Sequence, residues 1–364
     1  EMCIRDRINP LFSDSVYIDR LSRIPAVMEM PYNDIIRKFI DMYAGRLRNQ
    51  VSFMLSACNF YMPIFEEALD AYGLPLELRY LPIIESALNP SAVSRAGASG
   101  LWQFMIGTGK IYGLESNSLV DERRDPIKAT WAAARYLKEM YDIYGDWNLV
   151  IAAYNCGPGT INKAIRRANG ETDYWKIYNY LPKETRGYVP AFIAANYVMT
   201  YYCDHNICPM ETNIPASTDT VQVNKNLHFE QIADLCNVPL DQIKSLNPQY
   251  KKQIIPGDNK PYTLRLPIEA ISTFIDRQDT IFAHRADELF RNRKTVAVKE
   301  ISPSTRRATT AVAGKGKPTY YKIKSGDTLS SIAEKYGVRV KDIQRWNGMS
   351  NTKIAAGKRL KIYK

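Results

Sequence analysis

Two stretches of this chain align without gaps at an offset of one hundred residues: FEQIADLCNVPLDQIKSLNP (229–248) and LSSIAEKYGVRVKDIQRWNG (329–348). Ile232, Ala233, Val238, Ile243 and Asn247 of the first recur as Ile332, Ala333, Val338, Ile343 and Asn347 of the second. A β-rich stretch precedes each copy (DTVQV and TYYKIKSGDT) and another comes after it (YTLRLP and KRLKIY). The repeat is therefore a β-α-α-β unit of about 45 residues, present twice. Units this small leave most of a 364-residue chain to other cores, and a chain of that length carries about two or three domains.

The part ahead of the repeat reads as helix. NDIIRKFIDMYAGRL and YMPIFEEALDAYG space apolar residues at three and four and end near Gly45 and Gly73. PIKATWAAARYLKEMYDIYG is amphipathic, with Pro126 to open it and Gly145 to stop it. WNLVIAAYNCGPG is a short apolar helix running into a turn, and YVPAFIAANYVMTYY is apolar enough to be buried. Strand signals are nearly absent between residues 14 and 200. The fold class is mainly α: an all-α domain followed by two small α+β modules.

Between the two copies, RNRKTVAVKEISPSTRRATTAVAGKGKP has no hydrophobic period and reads as a flexible basic linker. The net charge of +11 is concentrated there and beyond. From residue 282 onward 20 Lys and Arg face 6 Asp and Glu, whereas the rest carries 29 against 32. Such a tail suits an anionic polymer, whether glycan, nucleic acid or membrane surface, and equally a solvated linker. No run of eighteen apolar residues encodes a membrane span. The opening EMCIRDR is foreign in character to the rest of the chain, which is expected to start inside a longer protein. Six cysteines show no metal spacing and no CxxC pair, and three histidines are scattered. Buried thiols are expected, with Cys203 and Cys208 alone near enough for a local bridge. No metal and no cofactor are expected.

The candidate chemistry centres on LPIIESALNP (81–90), where Glu85 ends an apolar run. A desolvated carboxyl keeps its proton to higher pH, as a general acid near neutrality requires. Three further stretches supply what a sugar site needs beside an acid, namely aromatic faces, amides and hydroxyls. SGLWQFM offers Trp102, Gln103 and Phe104, AAYNCGPG offers Tyr154 and Asn155, and KETRGYVPAF offers Tyr188. Trp102 and Tyr154 serve equally well as core aromatics. Glu184 is a second acid, but it lies in a run that looks solvated.

These four segments, in this order, resemble the lytic transglycosylases with a goose-lysozyme-like catalytic domain and C-terminal LysM repeats. The shared motifs are Glu-Ser at a helix end, Gly-Leu-Trp-Gln-Phe-Met, Ala-Tyr-Asn-x-Gly and Tyr-Val-Pro. Ile106 and Cys156 depart from the family's usual residues without touching a polar group. The second repeat copy closely resembles the LysM module through Ser325-Gly326-Asp327-Thr328-Leu329, Ile332-Ala333 and Trp346-Asn347. The first is a degenerate copy that lacks the Gly-Asp-Thr turn.

The resemblance implies a lysozyme-like all-α catalytic domain plus two βααβ LysM modules. It implies non-hydrolytic cleavage of peptidoglycan between N-acetylmuramic acid and N-acetylglucosamine, giving 1,6-anhydromuramoyl products. Glu85 would be catalytic, and Ser86, Trp102, Gln103, Phe104, Tyr154, Asn155 and Tyr188 would bind or position substrate. Gly326, Asp327, Thr328, Trp346, Asn347 and Gly348 would bind glycan in the second LysM. A lysozyme-type muramidase and an inactive wall-binding protein are the alternative readings. The expected partners are peptidoglycan strands, not nucleic acid, with a monomer in the periplasm and room for an outer-membrane lipid anchor. The expected organisation is a scar at 1–7, a helical extension at 8–60 and a catalytic domain at 61–210. A degenerate LysM at 218–268, a linker at 269–318 and a LysM at 319–364 complete it.

Overall fold

The computed structural model describes residues 9–212, 214–215, 217–290, 319–323, 329–336, 338, 340–347, 349 and 357–363. The expected scar at 1–7 lies outside them. The chain divides into two compact units, Glu1–Ile301 and Ser302–Lys364.

In the first unit, α1 (Asp14–Ser22), α2 (Asp34–Asp41), a π-helical turn (Met42–Arg46) and the long α3 (Arg48–Ala71) lead to a 3₁₀ turn (Leu76–Tyr80) and the short α4 (Leu81–Ser86). Then come α5 (Ile106–Ile111), α6 (Pro126–Tyr144), α7 (Trp147–Cys156), α8 (Pro158–Arg167), α9 (Tyr174–Ile177), α10 (Lys183–Arg186) and α11 (Tyr188–Thr200). Local chemistry accounts for the strongest of these. The Asp125 carboxylate accepts the Ile127 and Lys128 N–H groups at the start of α6, Pro126 needs no donor there, and Gly145 closes the helix at φ 61°. The Asp146 side chain caps α7 by accepting the Leu149 N–H. Helix α11 is buried on nearly every side, which is why its sequence has no polar stripe. It packs against α2, α4 and α7.

One hydrophobic core runs through all of this. Tyr17, Leu21, Ile36 and Ile40 belong to the same cluster as Phe65, Leu137, Val150 and Phe192. The expected boundary at residue 60 is thereby corrected, because it falls inside α3 and α2 ahead of it packs on α11. Periodicity reveals which face of a helix is apolar but not which partner covers it.

The first repeat copy comes next as β1 (Thr218–Val223), β2 (Asn226–His228), α12 (Phe229–Cys236), α13 (Leu240–Leu246), β3 (Ile254–Pro256) and β4 (Tyr262–Pro267). β1 pairs antiparallel with β4 and β2 with β3. Beyond β4 the linker expectation fails. Residues 268–289 form α14 (Ile268–Asp276), α15 (Gln278–Ala283) and α16 (Ala286–Leu289). Phe274 and Ile281 are fully buried in the core of this module, so its structure extends past residue 269. The rest of the expected linker, 291–318, lies outside the described residues. In the second unit, β5 (Thr319–Lys322) pairs antiparallel with β6 (Arg359–Ile362) around α17 (Leu329–Tyr336) and α18 (Val340–Trp346). Its core contains Ile332, Ala333 and Ile343. No helix among the described residues is long and apolar enough to cross a membrane.

The asparagine shared by the two copies does the same job in each. The Asn247 amide donates to the Ile243 and Arg265 carbonyls at 2.9 and 2.8 Å and accepts the Arg265 N–H at 2.8 Å. Asn347 donates to Ile343 and Lys361, both at 2.8 Å, and accepts the Lys361 N–H at 2.7 Å. Each side chain ties the second helix to the last strand with both amide hydrogens engaged, so Asn347, expected to contact glycan, serves here as a structural clamp. Replacing buried Asn247 by Ala strands three backbone groups, which should cost about 1–3 kcal/mol in urea unfolding followed by circular dichroism. A change near zero would show the clamp to be dispensable.

Candidate active site

Glu85 lies in the last turn of α4. The helix stops at once because Ala87 and Leu88 both adopt left-handed backbone, at φ 50° and 58°. Two consecutive non-glycine residues there cost about 1 kcal/mol or more each, strain that the surrounding core must hold. Tyr188, the first residue of α11, donates its hydroxyl hydrogen to Glu85 Oε1. Glu85 is half-buried, and desolvation of its carboxyl pushes it up to about 7; the Tyr188 hydrogen bond pulls it down, and the charge of Glu184 adds to the rise. The Tyr188 phenol is held well above its ordinary range, first by burial and then by the neighbouring Glu85 charge. It stays a donor at any physiological pH.

Two cavities meet at Glu85. One, of about 610 Å³, is lined among others by Gln103, Phe104, Tyr136, Asn155, Thr185 and Glu184. The other, of about 410 Å³, lies between the Ser86–Ser94 turn and Tyr43, Leu47, Gln50 and Met54. Glu85 and Gln103 belong to both. A groove with the acid midway along it suits a polymer threaded past Glu85.

The structure brings most of the sequence-predicted residues here, in differing roles. Gln103 is at the groove with φ 48°, its amide donating to the Gly100 carbonyl at 2.8 Å. Tyr154 reaches the groove from α7, and its hydroxyl donates to the Trp102 carbonyl at 2.7 Å. Asn155 Oδ1 accepts the Thr185 hydroxyl at 2.9 Å, which leaves its amide N–H groups for a ligand. Ser86 Oγ spans the Pro82 and Leu101 carbonyls at 3.0 Å, lacing α4 to the 99–104 turn. Phe104 is buried but shows an edge to the cavity.

Trp102 is the exception. It is fully buried and donates from Nε1 to the Thr130 hydroxyl at 2.9 Å, packing edge-on to Phe65. Its expected sugar contact is corrected to a core role. Glu184 is exposed at the rim. In the second unit, Trp346 is half-buried and packs edge-on to Tyr363. Gly326, Asp327, Thr328 and Gly348 lie outside the described residues. The cysteines among the described residues are thiols, so Cys203 and Cys208 are not bridged.

Sequence reasoning missed Tyr136, Thr160, Thr185 and the extension residues Tyr43 and Gln50. Only Thr185 gave a signal, sitting three residues before Tyr188. The others depend on long-range packing.

Residues 62–177 match the family model of the transglycosylase SLT domain, residues 217–283 that of the lytic transglycosylase MltD LysM-like domain, and residues 321–362 that of the LysM domain. The chain is 31% identical over 341 residues to the membrane-bound lytic murein transglycosylase D of Escherichia coli (strain K12), covering 92% of this chain and 70% of that one. It is 33% identical over 124 residues to the soluble lytic murein transglycosylase of the same strain, covering 32% of this chain and 19% of that one. The crystal structure of the 70 kDa soluble lytic transglycosylase of Escherichia coli aligns with a TM-score of 0.35 and 29% identity, over 42% of this chain and 26% of that one.

The burial of Glu85 has a thermodynamic signature. Its carboxyl sits at about 7 when folded and ordinarily at 4.5. Between those values the folded state holds more protons, so stability falls as pH rises through the window and levels off above it. Glu85→Gln cannot ionise. It should be more stable than wild type at pH 8 by up to about 3 kcal/mol, with the gap closing near pH 4.5. Urea unfolding at both pH values checks this, and a gap that does not change with pH would contradict the burial.

Proposed function

The chain belongs to the family of membrane-bound lytic murein transglycosylase D and is a peptidoglycan lytic transglycosylase with LysM binding domains; from that premise we propose that Glu85 serves as both acid and base of the reaction. The observation that carries this reading is one carboxyl at the meeting point of two cavities, poised at about 7 with one oxygen held by Tyr188. A group titrating near neutrality can give a proton and then take one.

Glu85 protonates the glycosidic oxygen as the bond to C1 of the muramoyl residue breaks. The sugar's own N-acetyl carbonyl supports the developing positive charge. The Glu85 carboxylate then takes the proton of the C6 hydroxyl, and that oxygen closes on C1 to form the 1,6-anhydro ring. No water is consumed. Holding the hydroxyl beside C1 gives the intramolecular attack its advantage over bulk water. Tyr188 fixes the carboxylate during both transfers. Gln103, Asn155 and Tyr154 line the path of the sugars, and Phe104 offers an apolar edge. A hydrolase normally places a second carboxylate across the bond. Glu184 is exposed at the rim, a poor position for a nucleophile or for the base of an ordered water.

The family places the protein in association with the cell envelope. We assign it to the periplasmic side, where its substrate lies, anchored by lipid to the outer membrane, with the second LysM and the basic segment before it holding glycan. The protein acts as a monomer.

Mass spectrometry of the muropeptides released from purified sacculi tests the reading. Anhydro products, one water lighter than hydrolytic ones, are expected from wild type and none from Glu85→Gln. Reducing-end products from wild type would make the enzyme a muramidase, and equal release by both proteins would remove Glu85 from the mechanism.

A further inference from the structure

The degenerate LysM-like module is not loosely attached to the catalytic core. Leu119 and Val120 of the catalytic half are buried in the module's own hydrophobic cluster. Val120 forms an antiparallel bridge with Tyr250. The Asp121 N–H donates to the Gln249 carbonyl at 2.9 Å and the Lys251 N–H to the Leu119 carbonyl at 2.8 Å. Lys251 Nζ donates to the Asn117 carbonyl at 2.7 Å and stands 3.7 Å from Asp121 Oδ2. Lys260 and the Tyr262 hydroxyl both reach Glu115, at 2.7 and 3.0 Å.

From that contact a buried relay runs to the groove. Asp121 and Arg123 are 1% and 5% exposed and form a two-bond pair, with Nε and Nη2 each 2.8 Å from a carboxylate oxygen. The remaining arm of the guanidinium, Nη1, donates to the Gly97 carbonyl at 2.8 Å and the Phe104 carbonyl at 2.9 Å. It thus clamps both ends of the 97–104 loop. The backbone of Arg123 also presses on that loop: a Cβ at Gly100 would meet the Arg123 carbonyl oxygen at 1.7 Å, so only glycine fits. Arg124 adds a hydrogen bond to the Ser99 hydroxyl at 3.1 Å. The clamped loop is the one that sets Gln103 in both cavities beside Glu85.

We propose that the LysM-like module is a working part of the catalytic site, and that Lys251, Asp121 and Arg123 are positioning residues through which its docking holds the 97–104 loop in its substrate-binding shape. An arginine pinned at one end by a buried carboxylate cannot turn away from the carbonyls at the other. Lys251 from the module completes the charge around that carboxylate. Loosening the pair lets the loop move, and a displaced binding group loses ground-state and transition-state affinity alike, which raises KM more than it lowers kcat.

The inference rests on the transglycosylase reading, so the test uses the full chain on soluble, uncrosslinked glycan strands, where wall tethering plays no part. Lys251→Met is the main variant, since it sits at the module's edge far from Glu85 in sequence. It should raise KM by about threefold to tenfold while kcat changes less than about twofold. Lys251→Arg should restore the wild-type KM. In a Gln103→Ala background Lys251→Met should add less than about twofold, because the group it positions is already gone. Arg123→Lys should show the same split more strongly; should it not fold, Lys251→Met decides alone. An unchanged KM, a loss confined to the amount of active protein, or full multiplicative addition in the double variant would each overturn the inference. Wild type that makes no anhydro product would instead overturn the transglycosylase reading.

Discussion

A single half-buried carboxyl, desolvated and held against a tyrosine hydroxyl, governs this structure. Without burial Glu85 would be ionised at neutral pH and could not give a proton. With burial and no partner it would resist ionising and could not take one back. The hydrogen bond from Tyr188 opposes the burial penalty and leaves the group near 7. The requirement reaches into the backbone, because the short α4 carrying Glu85 must end at once in two left-handed residues. It reaches into α11 as well, whose first residue supplies the hydroxyl and whose body is buried on nearly all sides.

The elements that meet those demands come from the whole first unit. Helix α2 of the N-terminal stretch packs on α11, and the Phe39 ring lies where a Cβ at Gly187, next to Tyr188, would come within 3.1 Å of it. Tyr43 and Gln50 line the second cavity. The stretch before residue 60 thus supports the site from behind and walls it on one side. At the opposite end, the first repeat copy docks on residues 115–121, and a buried ion pair connects that contact to the loop bearing Gln103.

Glu85, Tyr188, Gln103 and Asn155 are legible in the amino-acid sequence because they occur in short motifs with few other uses. The two β-α-α-β copies are legible because the offset between them makes the repeat visible, though not where the first copy ends. Trp102 is not, since an aromatic residue beside a glycine turn reads the same whether it faces a sugar or Thr130. The clamp role of Asn347 is hidden for a similar reason: the motif marks the residue without saying which backbone groups its amide serves. Residues 269–283 read as linker because basic residues and Ser-Thr tracts begin soon afterwards, although Ala270, Phe274 and Ile281 stand at helical spacings of four and seven. Asp121 and Arg123 lie in the charge run DERRD, and only tertiary packing shows them to be buried. In each case sequence leaves out the identity of the covering partner.

The central claim is the protonation state of one side chain, and it can be read directly. With glutamate labelled at the side-chain carboxyl carbon, the Glu85 resonance can be assigned by its absence from Glu85→Gln and followed by NMR across pH 4 to 9. Its inflection should fall at about 7, the value that burial against Tyr188 gives, well apart from the bulk of the exposed carboxylates. An inflection near 4.5, the ordinary value, would mean that Glu85 is ionised throughout the neutral range and cannot be the acid of the reaction.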